Sequence, residues 1–543
     1  MRSQRSALIL VAIVAFGCLI RVWGLAWGLE NANVSRRVHP DEWVVYWLFH
    51  WFGQTGTLNP CSQAQTRCFL DWGMAFPYAA YAVEGVVSGW LNVVSGLGFG
   101  PSADPEFARS VLDARLASAF FSTATIPTVY LLGKHAYGEA VGLTAAATVA
   151  LSDLLIQLAH FGTPDSLTTL LLAGALLAIV RAAVSPAALR FGVAGALIGL
   201  AAASEYHMAL LGLPLLAGWM LSDGRRRRFL GIASVSALML FVAVNPYIIV
   251  DFPAFVDATL HTLRVRTVDS SAQYGDRWAP YGPSWLFEVR YAFGDGVGYP
   301  LTAVILAGVG WAFIRRRRTD VILLAWIVPY LVLISLSPAK FMRYGAPLLP
   351  PMAVLGARGV VDTWRLLGGR MRAGLTALAA AVVLYTAVYD AAYAGLFAST
   401  DPRAVAAQVI ESGAPGGTQV AFDSLPDGLV NLPEFFDRSG LRLCYPSYNL
   451  NTLLGAPYIV FDQFTLDEQT ATSRDALTRF RNQVGNGRTY RLVARIDHVP
   501  SFLGLDFPIE ASPHDWRYPS HVISIFQRRV ADPPHPFVCA AGR

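Results

Sequence analysis

Long apolar runs dominate the pattern of this chain, and most have the length of a helix that crosses a bilayer. They lie at about 7–29, 109–133, 138–159, 165–183, 188–204, 206–221, 229–250, 293–314, 320–337, 343–362 and 373–397. About twenty apolar residues are needed to cross the hydrocarbon core. The pattern therefore predicts an α-helical polytopic membrane protein with about eleven transmembrane helices. Whether 188–221 is one helix or two stays open, because each half is shorter than a usual span.

The pattern changes after residue 397. Long apolar runs stop, and short alternating or helical segments replace them at Asp401–Glu411, Thr418–Asp423, Pro457–Phe461, Asp475–Val484, Tyr490–Ile496 and Val522–Phe526. We expect a transmembrane domain at 1–397, with outer loops 30–108 and 251–292, and a small α/β domain at 398–543.

Composition and charge agree with a membrane protein. The chain is 54% hydrophobic and 15% charged, with a net charge of +5. This excludes an ordinary soluble protein, and the charge is too small to indicate nucleic-acid binding. Placing the N-terminus in the cytoplasm puts Arg225–Arg228 and Arg315–Arg318 on the cytoplasmic side, as basic loops usually are. The C-terminal domain would then be periplasmic or extracellular, in an inner or plasma membrane.

The cysteines fit the same topology. Cys61 and Cys68 share the first outer loop, Cys444 and Cys539 share the C-terminal domain, and Cys18 lies in the first helix. Disulfides form in oxidising compartments. We expect the pairs Cys61–Cys68 and Cys444–Cys539, with Cys18 a free thiol.

Two adjacent acids, Asp41 and Glu42, follow the first apolar run in the sequence His39-Pro-Asp-Glu42. Two carboxylates at the membrane surface suit proton abstraction from a hydroxyl group. They also suit the N-terminus of a helix beginning there, where acids are favoured. Both interpretations stand at this point.

Other ionisable and polar residues fall at the same predicted outer side of the helices. They come from separate parts of the chain: Arg109, Asp113, Arg115, His160, Asp165, Glu205, Tyr206, His207, Lys340, Arg343 and Tyr344. Ionisable groups near the hydrocarbon core usually serve a function. Asp165 could instead cap a helix, and Arg115 could reach lipid headgroups. Lys340 is less easily explained in this way, because the chain otherwise uses arginine almost throughout.

Several classes of site lack their signatures. We find no glycine-rich nucleotide loop, which argues against an ATP-driven transporter, and no zinc spacing or nucleophile elbow. Asp41, Glu42 and His207 could hold a divalent cation, but the pattern is too weak for us to predict a metal or any other cofactor.

Five segments in order resemble the GT-C membrane glycosyltransferases, specifically the branch of dolichyl-phosphate-mannose protein mannosyltransferases and aminoarabinose transferases. They are Asp41-Glu42, Ala114–Ser118, Thr163–Asp165, Asn245–Tyr247 and Lys340–Tyr344 with Pro347 and Pro350. The C-terminal domain beginning at Thr400-Asp-Pro-Arg403 fits the resemblance loosely. Relatives often have a lysine where this chain has Glu205, which affects how a donor headgroup would be recognised.

The resemblance implies an inverting glycosyltransferase that moves a sugar from a polyprenyl-phosphate carrier to an acceptor hydroxyl at the outer face. It implies that Asp41, with Glu42 beside it, prepares the acceptor, and that Lys340 and Arg343 hold the lipid phosphate. Three residues apart, these two cations would share one face of a helix. Substrate-binding residues would be Lys340, Arg343, Tyr344, Arg115, Asp165, Glu205 and His207. Partners would be the lipid-linked sugar, the bilayer and an acceptor protein, lipid or glycan. Two alternatives remain: a ligase or polymerase of lipid-linked oligosaccharides, and a flippase of lipid-linked glycans.

Overall fold

The fold comes from a computed structural model, which describes residues 2–29, 39–61, 68–94, 105–267, 278–423, 432–445, 450–467, 471–529 and 540–541. Helices build residues up to 397. The first twelve are α1 Arg2–Val22, α2 Glu42–Thr55, α3 Ala75–Val94, α4 Pro105–Tyr137, α5 Glu139–Ala150, α6 Asp153–Ala159, α7 Asp165–Val184, α8 Ala188–Ser204, α9 Gly212–Met220, α10 Arg227–Val244, α11 Tyr247–Val250 and α12 Phe252–Thr267. Then follow α13 Ser284–Phe287, α14 Gly294–Val297, α15 Tyr299–Arg315, α16 Arg318–Leu336, α17 Leu349–Leu366 and α18 Gly369–Phe397.

Short 3₁₀ and π segments interrupt or begin several of these helices. They are Tyr206–Leu211, Ala279–Tyr281 and Met342–Leu348, which are 3₁₀, and Glu288–Phe293, which is π. Two of them resolve or correct the sequence prediction. The run 188–221 is broken at Glu205, so it forms two helices, and the run 343–362 begins as a 3₁₀ segment instead of an α-helix.

Membrane spans are visible by length and composition. Six described helices are long and apolar enough to cross a bilayer, or seven if α5 and α6 form one span with a 58° bend. The side chain of Ser152 caps α6 just after this bend. The polytopic helical fold with a C-terminal α/β domain is confirmed. The figure of about eleven spans stays a prediction, since other apolar helices, such as α8 and α15, are shorter.

Glycines bring α8 and α10 close together. A Cβ atom on Gly195 would lie 2.0 Å from the carbonyl oxygen of Ala233, and one on Gly199 would lie 2.1 Å from that of Ala237. Small residues four apart let helix backbones approach in membranes, where van der Waals packing replaces the hydrophobic effect. The two helices run in the same direction and fix the position of Ser204–Glu205 at the end of α8.

A mixed sheet forms the centre of the C-terminal domain. Its strands are β1 Thr418–Phe422, β2 Leu441–Tyr445, β3 Tyr458–Asp462, β4 Tyr490–Asp497, β7 Val522–Arg528 and β8 Ala540–Ala541, in the order β4-β7-β3-β1-β2-β8. Strands β2, β1 and β3 are parallel, and the other pairings are antiparallel. The short hairpin of β5 Ser501–Phe502 and β6 Leu505–Asp506 is separate. The remaining segments are α19 Pro402–Glu411, α20 Gln463–Asp467, α21 Ala471–Gly485 and the 3₁₀ turns Leu432–Phe435, Leu450–Leu453 and His514–Trp516.

One C-terminal turn packs directly onto the membrane helices. The Tyr393 ring stacks on Trp516 with centroids 4.2 Å apart, and its hydroxyl donates to the Trp516 carbonyl at 2.8 Å. Gln157 donates to the carbonyl of Asp515 at 2.8 Å. These buried contacts hold the turn His514–Trp516 against α6 and α18.

Candidate active site

Asp41 lies where two cavities meet. It precedes α2, and its carboxylate accepts a hydrogen bond from the guanidinium of Arg343, which lies in the 3₁₀ segment Met342–Leu348. Both side chains of this ion pair are 24% exposed. Asp41, Asp165 and Arg343 line both cavities. The structure thus brings together three of the residues singled out in the sequence.

The first cavity, which we call the helix-side cavity, has a volume of about 190 Å³. Its ionisable and aromatic lining comes from Asp41, Asp71, Trp72, Asp165, Glu205, Tyr206, His207, Tyr330, Arg343 and Tyr344, with Thr259 and Thr262 of α12. Five predicted site residues are among these besides Asp41: Asp165, Glu205, His207, Arg343 and Tyr344. The cavity is acidic apart from Arg343 and His207.

Contacts within the helix-side cavity order its polar groups. The His207 imidazole lies 3.2 Å from the Glu205 carboxylate, at the break that ends α8. Tyr330 stacks on His207 with ring centroids 5.6 Å apart and donates to the Tyr344 carbonyl at 3.2 Å. Asp165 accepts a hydrogen bond of 2.7 Å from the Thr163 hydroxyl.

The second cavity, which we call the domain-side cavity, has a volume of about 210 Å³ and lies under the C-terminal domain. Its lining combines membrane-helix residues with the C-terminal turn: His39, Pro40, Asp41, Gln157, Leu158, Phe161, Thr163, Asp165, Phe341, Arg343, His514, Asp515 and Tyr518. Rings of His39, Phe161, Phe341 and Tyr518 give it a mostly aromatic wall.

His39 is a neutral part of this wall. Its ring stacks on Phe161 with centroids 4.2 Å apart, and its Nδ1 accepts from the backbone N–H of Asp41 at 3.3 Å. Burial lowers the pKa of His39 to about 4, against a weaker opposing effect of Asp41. A charged imidazole is disfavoured there because it would lose its hydration.

Glu42 has a different environment from Asp41. It is fully buried, and its carboxylate accepts from Arg115 at 2.7 and 2.9 Å and from the backbone N–H of Gly162 at 2.9 Å. Arg115 is equally buried and also donates to the carbonyls of Leu25 and Trp27 at 2.8 and 2.7 Å. This ion pair joins α2 to α4 outside both cavity linings. Neither residue lines a cavity in this arrangement, and the catalytic role expected of Glu42 and the substrate-binding role expected of Arg115 stay predictions.

Lys340 also lies apart from Arg343. Its ammonium is 3.4 Å from the carbonyl of Trp278, and its side chain is largely buried outside the linings of the two cavities. The expectation of a shared helical face is wrong, because the backbone at Phe341 is extended and the 3₁₀ segment begins only at Met342. A phosphate role for Lys340 stays a prediction that would need a rearrangement of this loop.

No group of three or more His, Cys, Asp or Glu side chains is arranged to hold a metal ion among the described residues. The trio suggested by the sequence is not assembled here, since Arg115 and Gly162 occupy the oxygens of Glu42.

Some site residues have no signal in the sequence. Asp71, His514, Asp515 and Tyr518 line the cavities but belong to segments with no apolar period and no motif. Asp515 also accepts from the Met342 backbone N–H at 2.6 Å, so it helps hold the segment that carries Arg343. Only its proximity in the folded chain reveals it.

The cysteines lie away from the cavities. Cys61 and Cys68 form a disulfide, and Cys444 on β2 is disulfide-bonded as well. Cys539, its expected partner, lies outside the described residues. Cys18 in α1 is a free thiol.

The sequence and the fold of this chain are similar to those of known proteins. Residues 107–249 match the family model of dolichyl-phosphate-mannose-protein mannosyltransferase. ArnT from Cupriavidus metallidurans, in a crystal structure with undecaprenyl phosphate, aligns over 95% of this chain and 97% of its own, with a TM-score of 0.50 and 15% identity. The chain has the GT-C fold.

A second GT-C structure agrees. The archaeal oligosaccharyltransferase AglB from Archaeoglobus fulgidus, in complex with an inhibitory peptide and a dolichol-phosphate, aligns over 97% of this chain and 89% of its own. Its TM-score is 0.51 and its identity 11%. A comparison with curated proteins gives no match. The GT-C resemblance inferred from the ordered sequence motifs is confirmed, and this chain is an integral membrane protein of that fold.

Proposed function

We propose that this protein is an inverting glycosyltransferase. It takes a sugar from a polyprenyl-phosphate carrier and transfers it to an acceptor hydroxyl at the outer face of the membrane. The observation that carries this proposal is the position of Asp41 at the meeting point of two cavities. A carboxylate there can touch an acceptor in one cavity and face the sugar of a donor in the other.

Asp41 acts as the general base. As the acceptor oxygen attacks the anomeric carbon, its proton passes to the Asp41 carboxylate and the bond between sugar and phosphate breaks. Attack opposite the leaving phosphate inverts the anomeric centre. A positioned base contributes roughly 10²–10⁴-fold to such a step.

Arg343 receives the phosphate. Its planar guanidinium suits a phosphodiester, and stabilising the leaving oxygens favours the transition state, in which their charge grows. Arg343 is paired with Asp41 in the structure. The incoming phosphate therefore takes over the guanidinium and releases Asp41 to act as a base. His207, Tyr330 and Tyr344 of the helix-side cavity supply further polar contacts to the donor headgroup.

These contacts support an assignment of the two cavities to donor and acceptor. We assign the donor phosphate to the helix-side cavity, which opens among membrane helices, and the acceptor to the domain-side cavity beneath the C-terminal turn. We also propose that the N-terminus is cytoplasmic, which puts the C-terminal domain on the periplasmic or extracellular side of an inner or plasma membrane.

Oriented vesicles test this proposal. Right-side-out and inside-out vesicles containing the full chain would receive polyprenyl-phosphate carriers with radiolabelled monosaccharides, and loss of label from the lipid fraction would be measured. We expect transfer on the outer face, with Asp41→Asn slower by roughly 10²–10⁴-fold. Asp223→Asn, an exposed carboxylate paired with Arg318 far from the site, is the matched control and should behave like wild type.

Two outcomes would overturn it. Near-normal transfer by Asp41→Asn at saturating donor would remove the general base. Transfer from lipid-linked oligosaccharides with none from any monosaccharide carrier would replace the proposed donor class.

A further inference from the structure

We infer that a groove between α7 and α8 is a binding site for an anionic phospholipid, in the leaflet opposite the active site. The groove has a volume of about 540 Å³. Its apolar walls and its polar end come from His135, Gly174, Leu177, Ala178, Val180, Arg181, Val184, Ser185, Leu189, Arg190, Val193 and Leu197.

The groove is built by matching faces of two helices. On α7 its lining recurs at Gly174, Leu177, Ala178, Val180, Arg181 and Val184, which lie on one side of the helix, and Ser185 follows directly after the helix end. On α8, Leu189, Val193 and Leu197 recur every fourth residue. The deep end lies at Gly174, where an added Cβ would be 3.8 Å from the nearest atom of Leu197. The missing side chain of Gly174 leaves room for an acyl chain.

The length of the groove matches one leaflet. Gly174 and Val184 are separated by ten residue steps on α7, or about 15 Å at the usual helical rise. One leaflet contributes about 15 Å, half of the hydrocarbon core. An acyl chain lying along the groove would therefore place its phosphate at the open end, beside the cationic residues.

Charge at the open end selects an anion. Arg181 is in the last turn of α7, Arg190 in the first turn of α8 and His135 in the last turn of α4, so three helix ends converge there. The described lining of the groove includes no acid. Arg190 donates to the backbone carbonyl of Ser185 at 2.5 Å, which holds its guanidinium at the open end of the groove. Basic pockets between transmembrane helices are typical binding sites for anionic lipid headgroups.

Distance from the active site rules out the reacting carrier as the occupant. Helix α7 runs 20 residues from Asp165, in both site cavities, to the groove end. That is about 30 Å, the whole hydrocarbon thickness. A phosphate at Arg181 cannot also meet Arg343, so the occupant is a membrane phospholipid. By bracing the far ends of α7 and α8, it would stabilise the helices that carry Asp165 and Glu205.

Native mass spectrometry of the purified full chain would test this site, with phosphatidylglycerol or phosphatidylcholine added as the probe. We expect one phosphatidylglycerol to be retained preferentially and to raise the unfolding temperature. Arg181→Gln and Arg190→Gln should each weaken its retention by about fivefold, the effect of one basic residue near a lipid surface. Gly174→Phe should abolish it by filling the deep end.

Three variants serve as controls. Gly174→Ala adds only a methyl group with ordinary contacts and should retain the lipid. Arg225→Gln removes a charge at the same membrane side but outside the groove, so it should also retain it. Asp41→Asn should bind the lipid normally, because the groove does not depend on the proposed reaction.

If the wild-type protein retained phosphatidylglycerol and phosphatidylcholine equally, that result alone would overturn the proposal. So would equal losses from Arg225→Gln and Arg181→Gln, which would indicate general surface charge. Displacement of phosphatidylglycerol by equimolar polyprenyl phosphate would identify a carrier site instead. If a glutamine variant misfolds, Arg181→Lys and Arg190→Lys keep the charge and should retain the lipid.

Discussion

Breaking the buried ion pair of Glu42 and Arg115 should cost stability, whereas changing its neighbour Asp41 should cost catalysis. Glu42→Ala removes two charge-assisted hydrogen bonds to Arg115, of 2.7 and 2.9 Å, and the acceptor of the Gly162 N–H at 2.9 Å. Both charged side chains have 0% exposure. Water therefore cannot replace the lost partner.

The magnitude follows from this burial. Removing one partner of a buried pair typically costs about 3–5 kcal/mol, because an uncompensated charge remains. The guanidinium would keep only the carbonyls of Leu25 and Trp27 as acceptors. Replacing both residues, as Glu42→Leu with Arg115→Met, should recover part of the loss. The recovery should be incomplete, since those two carbonyls lose their donor and an unsatisfied buried group costs about 1–3 kcal/mol.

Thermal unfolding in detergent, measured beside turnover at low temperature, separates the two roles. Glu42→Ala should unfold well below wild type, the double variant between them, and Asp41→Asn near wild type with almost no turnover. A Glu42→Ala protein with wild-type unfolding and the turnover of Asp41→Asn would refute the structural role and return Glu42 to the chemistry.

Three further predictions concern other parts of the chain. The pKa of His39 is about 4 in the folded state and 6.5 in the unfolded state. The wild type should therefore lose roughly 3 kcal/mol of its free energy of unfolding as pH falls from 6.5 to 4, because only the unfolded state binds the proton there. In denaturant titrations, the stability of His39→Gln relative to the wild type should rise over the same pH range. Gly195→Ala should destabilise the protein by about 1–3 kcal/mol in the same measurement, because its Cβ would meet the Ala233 carbonyl at 2.0 Å; unchanged stability would mean that α8 and α10 separate freely. In a donor titration, Arg343→Ala should weaken donor binding and slow turnover, whereas Lys340→Ala should bind the donor better and turn over faster than Arg343→Ala does. Equal losses in the two variants would show that the loop rearranges to bring Lys340 from the Trp278 carbonyl to the phosphate.

Much of the helical framework was accessible from the hydropathy pattern. Each predicted apolar run contains helix in the structure, because a chain in a bilayer must satisfy its backbone hydrogen bonds internally. The short strands Tyr458–Asp462 and Val522–Arg528 were also close to prediction. Strand β2, Leu441–Tyr445, was missed, since five residues with one exposed arginine give too little pattern to detect.

The division of roles within the site required the tertiary structure. Asp41 and Glu42 are neighbours in sequence, yet successive residues around a helix start point about 100° apart. One therefore faces the cavities and the other meets Arg115 inside the protein. Lys340 and Arg343 look equivalent in sequence, but the extended backbone at Phe341 separates them. Asp515 reaches the Met342 backbone from far along the chain, and only long-range packing of the C-terminal turn brings it there. The local hydropathy pattern predicts which segments can enter the membrane. The site depends on contacts between segments that are distant in sequence, and a local pattern carries no information about those contacts.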